Sequence, residues 1–198
     1  RKEYFGVIGM KKNCVNNKII DAPLEIIDGD RGSNYPKKSE FSESGYCLFL
    51  DTKNVRPNGF DFSQCHFITK EKDQVLSKGK LSRNDIVMTT RGTIGNVGFF
   101  NSIVPFNNIR INSGMVIFRA LNNNLLPEFL YQYLRSSIFK KLTYLFSSGA
   151  AQPQLPIKDI RCMDIEIPPL PTQHKIAGIL SAYDDLIENN TRRIAILE

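Results

Sequence analysis

Apolar positions follow one rhythm through the first two thirds of this chain and another beyond about residue 127. Early on they come in short runs broken by turn residues. Phe5-Gly6-Val7-Ile8-Gly9 is too short for a helix, and Ala22-Pro23-Leu24-Glu25-Ile26-Ile27 fits a short strand or one helical turn. Tyr46-Cys47-Leu48-Phe49-Leu50 predicts a buried strand, and His66-Phe67-Ile68-Thr69 begins another. The lysine-rich stretch from Lys70 to Lys80 predicts a short exposed helix. A hairpin signal follows: Asp85 to Thr90 is rich in β-branched residues, Arg91-Gly92-Thr93-Ile94-Gly95 is a glycine-flanked turn, and Asn96 to Phe100 returns. Ser113 to Phe118 is a further strand.

The period then lengthens. Pro127 opens a helix over about 127–145, with Phe129, Leu130, Tyr133, Leu134 and Ile138 at helical spacing. Ser147 to Gln154 is a polar loop, Asp164-Ile165-Glu166-Ile167 alternates as a strand, and Pro168-Pro169-Leu170-Pro171 is a stiff connector. Thr172 is the expected N-cap of a last helix. In it Ile176, Leu180, Tyr183, Ile187, Asn190, Ile194 and Leu197 alternate by four and three, a heptad seam with one polar position. Ile179 and Leu186 widen the apolar face, and such a face more often packs on its own domain. Lying beyond a proline hinge and still unfinished at Glu198, this helix is expected to project and pair with another helix. The pattern predicts an α/β (α+β) chain, with a single mixed-sheet domain over 1–170 and a long coiled-coil-like helix over 171–198.

Composition narrows the class. A hydrophobic share of 41% and a charged share of 23% over 198 residues suit a globular chain with a real core. The net charge of +6 leaves a nucleic-acid partner and a mildly basic surface about even. No apolar run approaches a membrane span, and no apolar signal segment follows Arg1-Lys2-Glu3-Tyr4. Without an initiator Met the chain reads as a fragment or a trimmed piece. Cys14, Cys47, Cys65 and Cys162 are scattered, with neither zinc spacing nor a disulfide framework, so thiols in a reducing cytoplasm are expected. No cofactor and no metal is expected.

Catalytic motifs do not assemble. The glycine-rich loop and Asn/Asp-Pro-Pro-aromatic turn of amino-methyltransferases are missing, as is the Walker phosphate loop. His66 and His174 lack partners for nucleophilic catalysis. One nuclease-like set competes: Asp51-Thr52-Lys53 has acid-x-Lys spacing, with Asp30 upstream as a second carboxylate for Mg²⁺. Residues able to touch nucleic acid are more numerous. They are Arg31, Ser33, Tyr35, Lys37 and Lys38 in one loop, Lys78 and Lys80 in another, and Thr90, Arg91 and Thr93 at the hairpin turn. Asn107 and Arg110 follow, then Gln152 and Gln154. Arg pairs bidentately with guanine, Asn or Gln with adenine, and Lys suits phosphates. For each residue alone an ordinary turn or solvated face is at least as good a reading. Their joint occurrence on a basic chain favours binding.

Four blocks, in order, resemble the specificity subunits of Type I restriction–modification enzymes. Ile27 to Pro36 (Ile-Asp-Gly-Asp-Arg-Gly-Ser-Asn-Tyr-Pro) is similar to the opening motif of their target-recognition domains. Lys78-Gly79-Lys80-Leu81 with Asp85 to Gly95 is similar to the central motif, and Ser148 to Leu155 to another. Ile165 to Leu197, with its Pro-Pro-Leu-Pro hinge, Gln173 and Asn189-Asn190-Thr191, is similar to the closing block. The resemblance implies a non-catalytic α/β domain that reads half of a split double-stranded DNA target. It also implies helices that act as spacer and dock methyltransferase and restriction subunits, which hold the catalysis. A full subunit has two such domains and two antiparallel helices, whereas this chain carries one of each. That leaves open a fragment, a half-subunit that forms a homodimer through its helix, and a domain from a single-chain enzyme. Against this stand two rivals: the Mg²⁺ nuclease, and a helix-mediated protein-interaction module.

Overall fold

The computed structural model describes residues 15–149 and 153–197. In chain order the strands and helices are β1 (Val15–Lys18), β2 (Leu24–Asp28), β3 (Cys47–Leu50), β4 (Val55–Arg56), β5 (Gly59–Phe60), β6 (Phe67–Ile68), α1 (Lys70–Val75), β7 (Ile86–Thr89), β8 (Val97–Phe99), β9 (Ile109–Ile111), β10 (Met115–Ala120), α2 (Pro127–Arg135), α3 (Ser137–Phe146), α4 (Ile157–Arg161), β11 (Asp164–Ile167) and α5 (Leu170–Leu197). The Phe5–Gly9 run and Cys14 lie outside the described residues.

An antiparallel sheet of order β2-β10-β7-β8 forms the centre. Its two middle strands are buried on both faces, which is why they read as continuous apolar runs rather than alternating ones. Alternation still sorts the side chains. Ile86, Met88, Val116 and Phe118 face a core shared with Phe129, Leu130, Leu134, Phe139, Ile160 and Ala177 of the helices. Val87, Met115 and Ile117 face the opposite core, shared with Leu48, Leu50, Ile109 and Ile111 of a second sheet. That sheet has order β6-β3-β9, with β3 and β9 parallel. The result is three layers, helices on sheet on sheet, with mixed strand directions and a long C-terminal helix, the expected α/β class. Two ribbons complete it: β4-β5, and β1 against β11 with Val15 opposite Ile167.

The expected strands at 24–28, 47–50, 67–68, 86–89, 97–99 and 115–120 form, as does the short helix α1. Other expectations need correction. The single helix over 127–145 is two helices, because Ser136 adopts extended backbone (ψ 155) and caps α3, its hydroxyl accepting from Phe139 N. The four-residue proline connector is shorter, since α5 starts at Leu170, and Thr172 lies inside the helix with its N–H donating to Pro169 O. The polar cluster over 107–112 hides β9, whose three residues are all buried. Strands β1, β4 and β5 and helix α4 had no clear pattern.

The first turns of α5 pack on the domain. Gln173 is fully buried; its side chain accepts from Leu126 N (2.8 Å) and donates to Asn124 O (2.9 Å) and Pro168 O (2.8 Å). Ile176 packs against the helical core. Asp184 accepts from Gln132 (2.8 Å) and Arg135 (2.6 Å) of α2. Leu180, Tyr183, Ile187, Asn190, Ile194 and Leu197 of the heptad seam are exposed.

Candidate nucleic-acid interface

Strand register decides which loops meet. Asp28 stands opposite Val116, Thr89 opposite Met115, and Leu50 beside Ile111. The C-terminal ends of β2, β3, β7 and β9 and the start of β10 therefore share one end of the molecule. The turn Asn112-Ser113-Gly114 is the hub there. Thr90 donates to Gly114 O through its N–H (2.8 Å) and its hydroxyl (3.0 Å). Leu155 N donates to Thr90 O (2.9 Å), and Arg91 bridges Gln154. Ser148 and Gln154 exchange backbone hydrogen bonds of 2.9 Å, closing the base of the 149–153 loop. On the other side the Arg31 guanidinium donates to Ser113 O (3.0 Å) and to Asp28 (3.1 Å). Gly29 presses so close that a Cβ would sit 2.2 Å from Asn112 O. Gly92 and Gly95 (φ 70 and 85) let the Arg91–Gly95 turn fold back on itself.

Asp30 holds the Arg31 loop in place. Its carboxylate is 4% exposed and accepts from Gly32 N (2.7 Å), Ser77 N (2.8 Å), Ser77 Oγ (3.0 Å) and Lys78 N (3.3 Å). Burial alone would raise its pKa, but these donors outweigh burial and hold it below the usual carboxylate range. The nuclease reading is corrected by this geometry: Asp30 is spent on tying two loops together, and Asp51 accepts from Thr52 (3.0 Å) and Asn112 (3.3 Å).

Of the sequence candidates, Arg31, Ser33, Lys78, Arg91, Thr93 and Gln154 are exposed and lie on the segments that gather at this end. Three are corrected. Arg110 is 6% exposed: Nε donates to Asp73 Oδ1 (2.6 Å), one terminal nitrogen to Lys78 O (2.6 Å) and the other to Asp73 O (2.7 Å). Lys80 donates to the other Asp73 oxygen (2.6 Å) and to Asn108 (3.2 Å). Thr90 is buried, its hydroxyl spent on Gly114. These groups build the domain and have no edge left for a base. Asn107 is exposed but sits at the opposite end, where it accepts from Arg83 (3.1 Å). Tyr35 packs edge-on against Phe49 at 5.7 Å, and burial raises its pKa. Lys37 and Lys38 are exposed beside the Glu40–Lys72 ion pair, flanking the cluster rather than forming it. Gln152 lies outside the described residues. Sequence reasoning missed two members of the cluster. Thr52 approaches Gly114, where a Cβ would come 2.8 Å from its methyl, and this brings exposed Lys53 beside the hub.

The end that gathers these loops presents side chains outward. A hollow of ≈ 690 Å³ lies at the opposite end, lined by Asn84, Asp85, Arg119, Leu121, Leu126 and His174 among others. There Asp85 and Arg119 neutralise each other at 2.7 and 2.8 Å.

A family model described as Type I restriction modification DNA specificity domain matches residues 24–198. The chain is 28% identical over 138 residues to the Type I restriction enzyme EcoBI specificity subunit of Escherichia coli, covering 68% of this chain and 28% of that protein. It is 25% identical over 177 residues to the HindI specificity subunit of Haemophilus influenzae, covering 86% and 37%. The chain thus spans about a third of the length of these relatives. Its fold is similar to that of the solved Type I restriction–modification S subunit from M. genitalium, with a TM-score of 0.67 at 18% identity, covering 96% of this chain and 44% of that one.

Proposed function

Because this chain belongs to the Type I restriction modification DNA specificity domain family, we propose that it reads one part of a split double-stranded DNA target through the loops around Asn112–Gly114. Lys53 and Lys78 engage phosphates and set register, with Lys37 and Lys38 at the flank. Arg31, Arg91 and Gln154, joined by Gln152 from the same loop, read about 3–4 base pairs, each good bidentate pair giving roughly 1–3 kcal/mol of discrimination. The observation that carries this reading is the convergence of separate basic and polar loops on one hub, with Arg31 and Arg91 both exposed there.

The recognition unit is residues 1–170, and the helix over 171–198 is the assembly element. Its exposed seam pairs with a second helix, Asn190 fixing the register. Through that helix the chain docks methyltransferase and restriction subunits, which supply the chemistry, and in isolation it forms a homodimer. No helix among the described residues is long and apolar enough to cross a membrane. The proposed setting is the cytoplasm.

A titration against a randomised duplex pool, with and without the methyltransferase subunit and at two salt concentrations, tests this. Enrichment of a short motif, sharpened by the partner subunit, is expected. Salt-insensitive or absent binding in both conditions would favour the protein-interaction reading, in which α5 is the working part and the basic loops are ordinary surface.

A further inference from the structure

Helix α3 contributes none of the sequence candidates, yet it runs straight into the loop closed by Ser148 and Gln154. Its inner face touches the hairpin turn: a Cβ on Gly95 would come 3.4 Å from Thr143 Oγ1. The C-terminal end of α3 therefore belongs to the same end of the molecule as Arg91. Its outer face is fully open, with Tyr144 82% and Leu145 73% exposed, and Lys140 and Lys141 exposed beside them. The helix Ser-Ile-Phe-Lys-Lys-Leu-Thr-Tyr-Leu-Phe carries two lysines and no acid. Elsewhere cations are neutralised: Lys72 pairs with Glu40, Lys80 and Arg110 with Asp73, Arg119 with Asp85. Among the described residues, Lys140 and Lys141 join no ion pair.

We propose that Lys140, Lys141 and Tyr144 on the outer face of α3 grip the sugar–phosphate backbone of duplex DNA beside the loop cluster. This rests on the DNA-recognition reading and extends its footprint. At 1.5 Å rise per residue Lys141 lies only about 7–8 Å along the helix from its end at Phe146, within side-chain reach of a duplex held by the loops. The two ammonium groups take phosphates and the Tyr144 hydroxyl donates to a phosphate or sugar oxygen. Such contacts carry no base information. They raise affinity for every sequence and fix the angle at which the loops meet the groove. The helix commits to DNA rather than to an apolar partner because its charge is all of one sign and its end is continuous with the cluster.

The test measures affinity of the whole chain for a labelled random-sequence duplex across a salt series, in parallel with pool selection. In the Lys140→Ala/Lys141→Ala double variant, the slope of log affinity against log salt should become shallower by about 1.8, two phosphate contacts at about 0.9 each, with the enriched motif unchanged. Tyr144→Phe should weaken all sequences equally and by less. A slope unchanged in the double variant, while Arg91→Ala still alters the enriched motif, would overturn the α3 contact alone. A changed motif in the double variant would overturn it as a backbone contact. A wild-type chain with no salt-dependent affinity would overturn the recognition reading and this inference together.

Discussion

Arg91 and Arg110 sit in two polar stretches that look alike in sequence, and the fold sends them to opposite environments. Arg110 lies on a buried strand with its fork closed around Asp73 and two backbone carbonyls. Arg91 stands in the open at a turn, held only through its backbone against Gln154. The same guanidinium chemistry serves scaffold in one place and is free for a ligand in the other. What separates them is whether the fold brings a carboxylate within reach. For Arg110 that carboxylate comes from α1, thirty-seven residues earlier.

The comparison breaks hardest at Arg110. Arg110→Ala leaves Asp73 buried with half its partners, and should cost about 3–5 kcal/mol of folding stability in urea denaturation. Arg110→Lys keeps the charge but loses the fork, so it should cost less. If Arg110→Ala left stability intact and weakened DNA binding, the division drawn here between scaffold and reader would fail.

Gly29→Ala comes next. Its methyl would meet a backbone oxygen at 2.2 Å, and the Arg31 loop must move off the hub. A loss of about 1–3 kcal/mol in stability is expected, with a larger relative loss in duplex affinity, read from denaturation and binding on the same preparation. Arg91→Ala should leave the denaturation midpoint unchanged and remove roughly 1–3 kcal/mol of discrimination at one base position. Equal loss on all sequences would make Arg91 a phosphate contact instead.

The smallest effect concerns acid. Asp30 and Asp73 both sit below the usual carboxylate range in the fold, burial opposing the shift and hydrogen bonds winning. The stability they contribute is full above the unfolded carboxylate pKa of about 3.9 and fades as pH falls through their lower folded values. Asp30→Asn should lower stability at neutral pH and flatten the acid decline, measured as urea midpoints from about pH 5 downward. An unchanged acid decline would mean that Asp30 titrates alike in both states.

The central sheet was legible because buried β-branched runs and a glycine turn leave strong local marks, as in Ile86–Thr89 and Val97–Phe99. Ser136 was not: one extended residue splits a continuous helical period, and only its capping bond to Phe139 reveals it. Strand β9 was masked because Arg110 and the neighbouring asparagines look polar until Asp73 and Lys80 are placed beside them. At the candidate site the residue types were legible and the geometry was not. Lys80 and Thr90 had suitable chemistry and are already spent, whereas Lys53 reaches the hub only because Thr52 packs against Gly114. Sequence carries a donor's identity; its availability depends on partners dozens of residues away.

The pairing of β1 with β11 has a consequence for how this unit is exchanged. With Val15 opposite Ile167, the polypeptide comes in and goes out side by side, only about 5 Å apart across an antiparallel pair. Everything between, including every loop at the hub, hangs from that one two-stranded stem. A different sequence grafted between the two strands would need only to match that narrow stem to leave the path into α5 undisturbed. Target preference is thereby a cassette, replaceable in one piece, while the helix that follows keeps its place.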